Sequence, residues 1–303
     1  MYKFHPLIKH TLWGSESWVL SGVAGSETTV DGGSYDGTPL SQLVALEGER
    51  LMGRETFRRF GHELPLLVKF IDARRDLSIQ VHPDDATAQR HGHPRGKSEM
   101  WYVLPSAPDA SLYCGLNRQL TPADYCRSVA DGTITDMLAR YEVKAGDVFY
   151  IPAGRIHSIG AGLRVAEIQQ PIDLTYRIYD YGRLGTDGRP RQLHTELAAE
   201  SIDYTPVADC RTHYQPSLDR RVPLVSCPHF TTALYQVTQP LTLDYRQLDT
   251  FVVLIGVGGQ CTVTPDDGQP SVTLAEGDAL LVPATAATLR VDGSATLLET
   301  YVP

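Results

Sequence analysis

The chain has 303 residues, 42% of them hydrophobic and 21% charged, which is the composition of an ordinary globular protein long enough for two domains. Its 36 acidic and 27 basic residues leave a formal charge of −9, and the basic residues form no runs, so nucleic acid and anionic membrane surfaces are poor partners. Five scattered cysteines without paired short spacing read as reduced thiols of a cytoplasmic protein, and the opening Met1-Tyr2-Lys3-Phe4-His5-Pro6 lacks the charged start and apolar core of a secretion signal.

In chain order, residues 1–35 are rich in Gly and β-branched residues and predict short extended pieces around Leu12-Trp13-Gly14. Leu40, Leu43, Val44 and Leu46 give a partial helical period between Pro39 and Gly53. Leu64-Pro65-Leu66-Leu67-Val68-Lys69-Phe70-Ile71 is an apolar strand with one lysine in it, and a lysine there is costly to bury without a partner or a task. Leu77 to His82 alternates strictly, so Ser78, Gln80 and His82 share one strand face. Asp84 and Asp85 read as a helix cap or turn, and His91 and His93 as solvent-exposed residues of a Gly/Pro-rich loop.

The next strand opens Gly96-Lys97-Ser98-Glu99-Met100-Trp101-Tyr102, with Lys97 and Glu99 on one face. Thr121-Pro122-Ala123-Asp124 is a helix cap followed by proline at a first helical position, and two short helices are expected between Thr121 and Tyr141. Gly146 to His157 is a turn, a short apolar strand, a second turn and a histidine, and Val165 to Tyr179 supplies two more strands. Leu193 to Glu200 can be helical, 201–221 reads as a linker, and the remainder is strand and turn. Gly277-Asp278-Ala279-Leu280-Leu281-Val282-Pro283 repeats the form of Gly146 to Pro152, but Thr288 stands where the first copy has His157.

Gln80, His82, Glu99 and His157 form a mixed nitrogen and oxygen set suited to a divalent metal with room for water or substrate. These strands, together with Ile151-Pro152-Ala153-Gly154 and the run Gln169-Gln170-Pro171-Ile172-Asp173, resemble the type I mannose-6-phosphate isomerases in their short bacterial form. The resemblance implies a mainly β chain of two cupin-type, jelly-roll barrels with a few short helices. Residues 1–200 would form the metal-binding catalytic barrel, with a helical insertion at about 121–141. The linker 201–221 would lead to a degenerate barrel without metal at 222–303. It implies one divalent ion, Zn2+, and interconversion of mannose 6-phosphate and fructose 6-phosphate by proton transfer through an enediolate. It also gives Lys69 an acid/base task and matches Asp173 and Arg177 to an aspartate and an arginine beside the reacting carbons.

From the residues, Asp173 and Arg177 are four apart and would share a face of one strand, and Lys97 would project into the cavity of Glu99 or pair with Asp173. The expected partner is a small sugar phosphate, with no protein partner indicated. Two other readings fit a mixed histidine and carboxylate site: an iron-dependent cupin dioxygenase and a non-catalytic sugar-binding bicupin. Lys97, Asp173 and Arg177 have a task with a sugar phosphate and none in oxygen chemistry.

Overall fold

A computed structural model describes residues 1–185 and 187–303. The chain is mainly β, with a few short helices, and its contacts group it into two compact units. The first comprises residues 1–8, 17–70 and 213–303, and the second residues 9–16 and 71–212. The boundaries expected from the sequence, near residues 200 and 222, follow chain order; the contact grouping instead interleaves the two ends of the chain.

In the second unit, Val148–Ile151, Glu99–Val103 and Arg164–Gln169 pair antiparallel, continued by that unit's share of Leu67–Ala73 and Gly14–Leu20. A five-stranded sheet runs in the order Tyr176–Tyr179, Ile79–Val81, His157–Ile159, Ser111–Leu116, Leu138–Glu142. The apolar members of these alternating strands bury Ile71, Trp101, Val103, Leu112, Phe149 and Val165 in one cluster. Gly14 enters its strand at φ +154°, and a Cβ there would lie 2.0 Å from the Asp72 carbonyl oxygen, so only glycine fits.

In the first unit, Val252–Pro265 and Thr288–Tyr301 pair over their length, flanked by Thr231–Val237 and Val222–Ser226 on one side and Val272–Ala275 on the other. The repeated Gly-Asp motif feeds an equivalent strand in each unit. Val148–Ile151 pairs with Glu99–Val103, with Ile151 opposite Glu99, and Ala279–Val282 pairs with Val252–Pro265, with Val282 opposite Val252. The register carries further: Trp101 lies opposite Glu167, and its counterpart Leu254 lies opposite Glu299. The second copy therefore keeps a buried carboxylate, Glu299, bound by Arg221 at 2.6 Å and Tyr245 at 2.9 Å. It has valine where the first copy has Glu99.

Helices form at Leu40–Glu47, Glu49–Met52, Asp85–Arg90, Pro122–Ala130 and Thr195–Ser201, in the regions read from the sequence, and Asp84 and Thr121 act as caps. Arg54–Phe60 is a further helix, set between Gly53 and Gly61. The second helix expected before Tyr141 is a 3-10 turn, Ile134–Met137, and the chain then enters the Leu138–Glu142 strand. Among the described residues no helix is long and apolar enough to cross a membrane.

Candidate metal centre

The site is assembled from strand ends of the second unit. Gln80 lies opposite His157 in the antiparallel pairing of Ile79–Val81 with His157–Ile159, and His82 follows the first of these strands. Glu99 opens Glu99–Val103. Local chemistry holds these ends in place. Lys97 donates its backbone N–H to the Pro83 carbonyl at 3.0 Å, and a Cβ at Gly96 would lie 2.4 Å from that same oxygen. The Gln170 side chain accepts from the Ser98 N–H at 2.8 Å and donates to Asp85, which also accepts from the Gly96 N–H. Gly154, at φ +89°, donates to the His82 carbonyl at 2.8 Å and lets the turn before His157 close.

His82, Glu99 and His157 are buried, and one ligand atom from each lies within 4.8 Å of the others. Nε2 of His82 is 3.4 Å and Nε2 of His157 3.3 Å from the Glu99 carboxylate. The Gln80 amide end is 3.2 Å from Nε2 of His157, and rotation of the amide brings its oxygen to the same place. Nδ1 of His157 donates to the Arg155 carbonyl at 2.8 Å, which fixes the tautomer and leaves Nε2 with its lone pair. Burial, and after it the Lys97 charge, lowers the His82 pKa to about 3, and burial lowers that of His157, so both are neutral at pH 7. Burial alone would raise the Glu99 carboxyl, but Lys97, His82 and His157 together outweigh it and hold it well below the usual carboxylate range.

Both ring nitrogens of His82 and both oxygens of Glu99 are buried and lack a hydrogen-bond partner among the described residues. Such groups are costly to bury unless something binds them. Two neutral imidazoles and a carboxylate gathered within 4.8 Å, with the Gln80 amide beside one of the imidazoles, have the donor types and spacing to bind a divalent ion.

Lys97 is buried beside the cluster, its ammonium 2.9 Å from Glu99 and 3.6 Å from Glu167. Glu167, which the sequence reading did not single out, accepts from the Trp101 indole N–H at 2.8 Å. The only sequence signal for it is a carboxylate inside the apolar run Val165-Ala166-Glu167-Ile168. Arg177 is the register partner of Gln80 on the next strand.

Asp173 departs from expectation. It precedes the Tyr176–Tyr179 strand, in a turn where the Gln169 side chain donates to the Gln170 and Ile172 carbonyls, so it shares no strand face with Arg177. Its carboxylate is exposed and 3.5 Å from Lys9; of the two places open to Lys97, the cavity of Glu99 or a pair with Asp173, the lysine takes the first, beside Glu99 and Glu167. Lys69 belongs to the first unit, buried, with its ammonium 5.6 Å from the Trp18 ring centroid. His91 is likewise not the solvent-exposed residue expected: its ring nitrogens reach the Tyr176 hydroxyl at 2.8 Å and Glu200 at 2.9 Å.

Residues 2–109 match the family model for the phosphomannose isomerase type I catalytic domain. A mannose-6-phosphate isomerase of Streptococcus mutans is 33% identical over 288 residues, which span 94% of this chain and 88% of that one. The chain belongs to the mannose-6-phosphate isomerase family. The family member ManA of Bacillus subtilis is 29% identical over 99% of this chain and 98% of its own length. A crystal structure of the mannose 6-phosphate isomerase from Bacillus subtilis superposes with a TM-score of 0.88 at 25% identity, covering 99% of each chain. Buried ligand atoms of this kind are therefore found in a chain whose relatives are named isomerases of a sugar phosphate.

Proposed function

We propose that this chain interconverts mannose 6-phosphate and fructose 6-phosphate as a metal-dependent isomerase, with Gln80, His82, Glu99 and His157 as the ligands and zinc as the ion. The observation that carries the reading is the convergence of unsatisfied buried ligand atoms on Glu99, next to a lysine that itself bridges two carboxylates. When bound, the ion supplies a Lewis acid beside the sugar's carbonyl and hydroxyl oxygens.

The chain's own groups account for the rest. Isomerisation moves one proton between adjacent carbons and needs a base, an acid and a countercharge for the enediolate. Lys97 and Glu167, 3.6 Å apart and closed off from water, can pass a proton between them, and we assign them as the acid/base pair, with Lys69 as a second candidate. Arg177 is half-buried, its Nε has no partner among the described residues, and it offers positive charge to an oxyanion. Asp173, paired with Lys9, would act at the rim of the site, on the substrate's hydroxyls. Iron-dependent oxygen chemistry gives no task to the lysine, the second carboxylate or the arginine.

We read the two sheet assemblies as cupin-type barrels, one with the ligand set and one in which valine and threonine stand at the positions of Glu99 and His157. The substrate is a small sugar phosphate of the cytoplasm. The test is a coupled assay of purified protein with mannose 6-phosphate, first after chelation and then after zinc is restored. Fructose 6-phosphate formed only with metal supports the reading, and no turnover in any metal state overturns it.

A further inference from the structure

Arg177 is held at three points by one short segment. Its backbone N–H donates to Nδ1 of His194 at 3.0 Å, and its carbonyl accepts from the His194 N–H at 2.7 Å. Nη1 of its guanidinium donates to the Gln192 carbonyl at 2.9 Å. The same segment is anchored on its other side by Arg191, which binds the Asp180 carboxylate through Nε and Nη2 and lies 5.1 Å from the Trp13 ring centroid. His194 suits its place as an acceptor: burial and then the Arg177 charge lower its pKa, so Nδ1 keeps its lone pair.

What this leaves unused is one edge of the guanidinium. Nε is buried and has no partner among the described residues, and the planar guanidinium puts Nη2 on the same side of the fork as the Nε–H. That edge offers two parallel donors, the arrangement that matches two oxygens of a phosphate or carboxylate-like anion. Arg177 stands opposite Gln80 in the strand register, so the edge belongs to a residue beside the proposed ligands.

We propose that His194 and the Gln192 carbonyl are positioning groups that lock Arg177, leaving its Nε and Nη2 edge for a two-oxygen anion of the substrate. The inference rests on the isomerase reading for the identity of that anion, which is either the phosphate or the enediolate. A guanidinium freed of its clamp loses preorganisation, and misplacement by about 1 Å can cost about a hundredfold in rate.

The test compares His194→Leu with His194→Asn, whose amide oxygen can take the place of Nδ1, each alone and in an Arg177→Ala background, in the zinc-loaded protein. H194L is expected to lower kcat/KM by roughly ten- to a hundredfold, H194N to stay within about threefold of wild type, and H194L to cost nothing further once Arg177 is alanine. A loss carried in KM assigns the edge to the phosphate; a loss carried in kcat assigns it to the enediolate. Wild-type kinetics in H194L, an equal loss in H194N, or the same loss in the R177A background overturns the proposal. Failure of the isomerase reading looks different, because the zinc-loaded wild type itself would not turn over mannose 6-phosphate. The Arg177 Nε–H resonance, identified by its disappearance in R177A and titrated with inorganic phosphate, then carries the test. A shift of that resonance in H194L with weaker phosphate response supports the clamp, and an unchanged resonance overturns it.

Discussion

Replacing Lys97 by methionine removes an ammonium that lies between two buried carboxylates. The side chains are close in volume, so the change is one of charge rather than packing. Lys97 is 2.9 Å from Glu99 and 3.6 Å from Glu167, and neither carboxylate is open to water. At an effective dielectric constant of about 20, a contact at that nearer distance is worth roughly 6 kcal/mol before desolvation is subtracted. Breaking a buried pair from one side costs about 3–5 kcal/mol net, because the orphaned charge stays buried. For a domain of this size that is a fall in Tm of about 10 °C in metal-free protein. The assay is thermal unfolding of wild type and K97M after chelation, and again with zinc added. A dication among the same oxygens replaces the missing positive charge, so zinc should raise the Tm of K97M more than that of wild type. Chelated K97M melting within about 2 °C of wild type, or zinc shifting both equally, would refute the electrostatic reading of the site.

Acidification tests the histidines. His82 has its pKa lowered to about 3 by burial, so the unfolded chain takes up a proton below pH 6.5 that the folded chain refuses, and stability is lost as pH falls. At pH 5 this amounts to about 2 kcal/mol for His82 alone, visible as a lower urea midpoint in chelated protein; His82→Gln should flatten the profile between pH 7 and 5, a window above the range where Glu99 titrates. Among the proposed ligands, His82→Ala should weaken zinc affinity by tenfold or more, and Gln80→Ala by less, because the amide is a neutral and weaker donor; competition with a chromogenic chelator measures both. Gly14→Ala drives a Cβ against the Asp72 carbonyl oxygen at 2.0 Å and should cost more than about 3 kcal/mol by denaturant unfolding, without altering the ligand set.

The parts of the site that could be read in advance are those governed by strand alternation. Gln80 with His82, and Lys97 with Glu99, are two apart, and a period of two puts each pair on one face whatever the rest of the chain does. The Gly-Asp turn of residues 146–147 and the Pro-Ala-Gly turn of residues 152–154 added the final histidine, since turn residues report backbone geometry directly. The same rule misled at Asp173 and Arg177, because a spacing of four means a shared face only inside one strand. The chain leaves the sheet after Gln169, folds a turn on that side chain's amide, and re-enters at Tyr176. Glu167 was hidden for a different reason: its role comes from the cross-strand neighbour Trp101 and from Lys97, and register between distant strands is a tertiary property. His91 likewise sits in a loop whose composition suggested exposure, yet Tyr176 and Glu200, both far along the chain, draw it inward.

The interleaving of the two units has a consequence for how the chain is born. Residues 9–16 and 71–212 complete the second unit, so it can close once about two-thirds of the polypeptide has left the ribosome. The first unit cannot. Its opening segment waits for partners at the far end: the Tyr2 backbone bonds to that of Leu281, Thr56 to Thr250, and Gly53 lies against Asp249. At about 5–20 residues per second, Tyr2 and the helices that follow it are synthesised roughly ten seconds or more before those partners exist. During that interval the segment 17–70, with Leu40, Leu43, Val44 and Leu51 that the finished protein buries, lacks the rest of its unit. Nascent chains stalled so that residue 212 has just cleared the ribosome should therefore hold a protease-resistant core from the second unit while residues 1–8 and 17–70 remain open to cleavage and to chaperones.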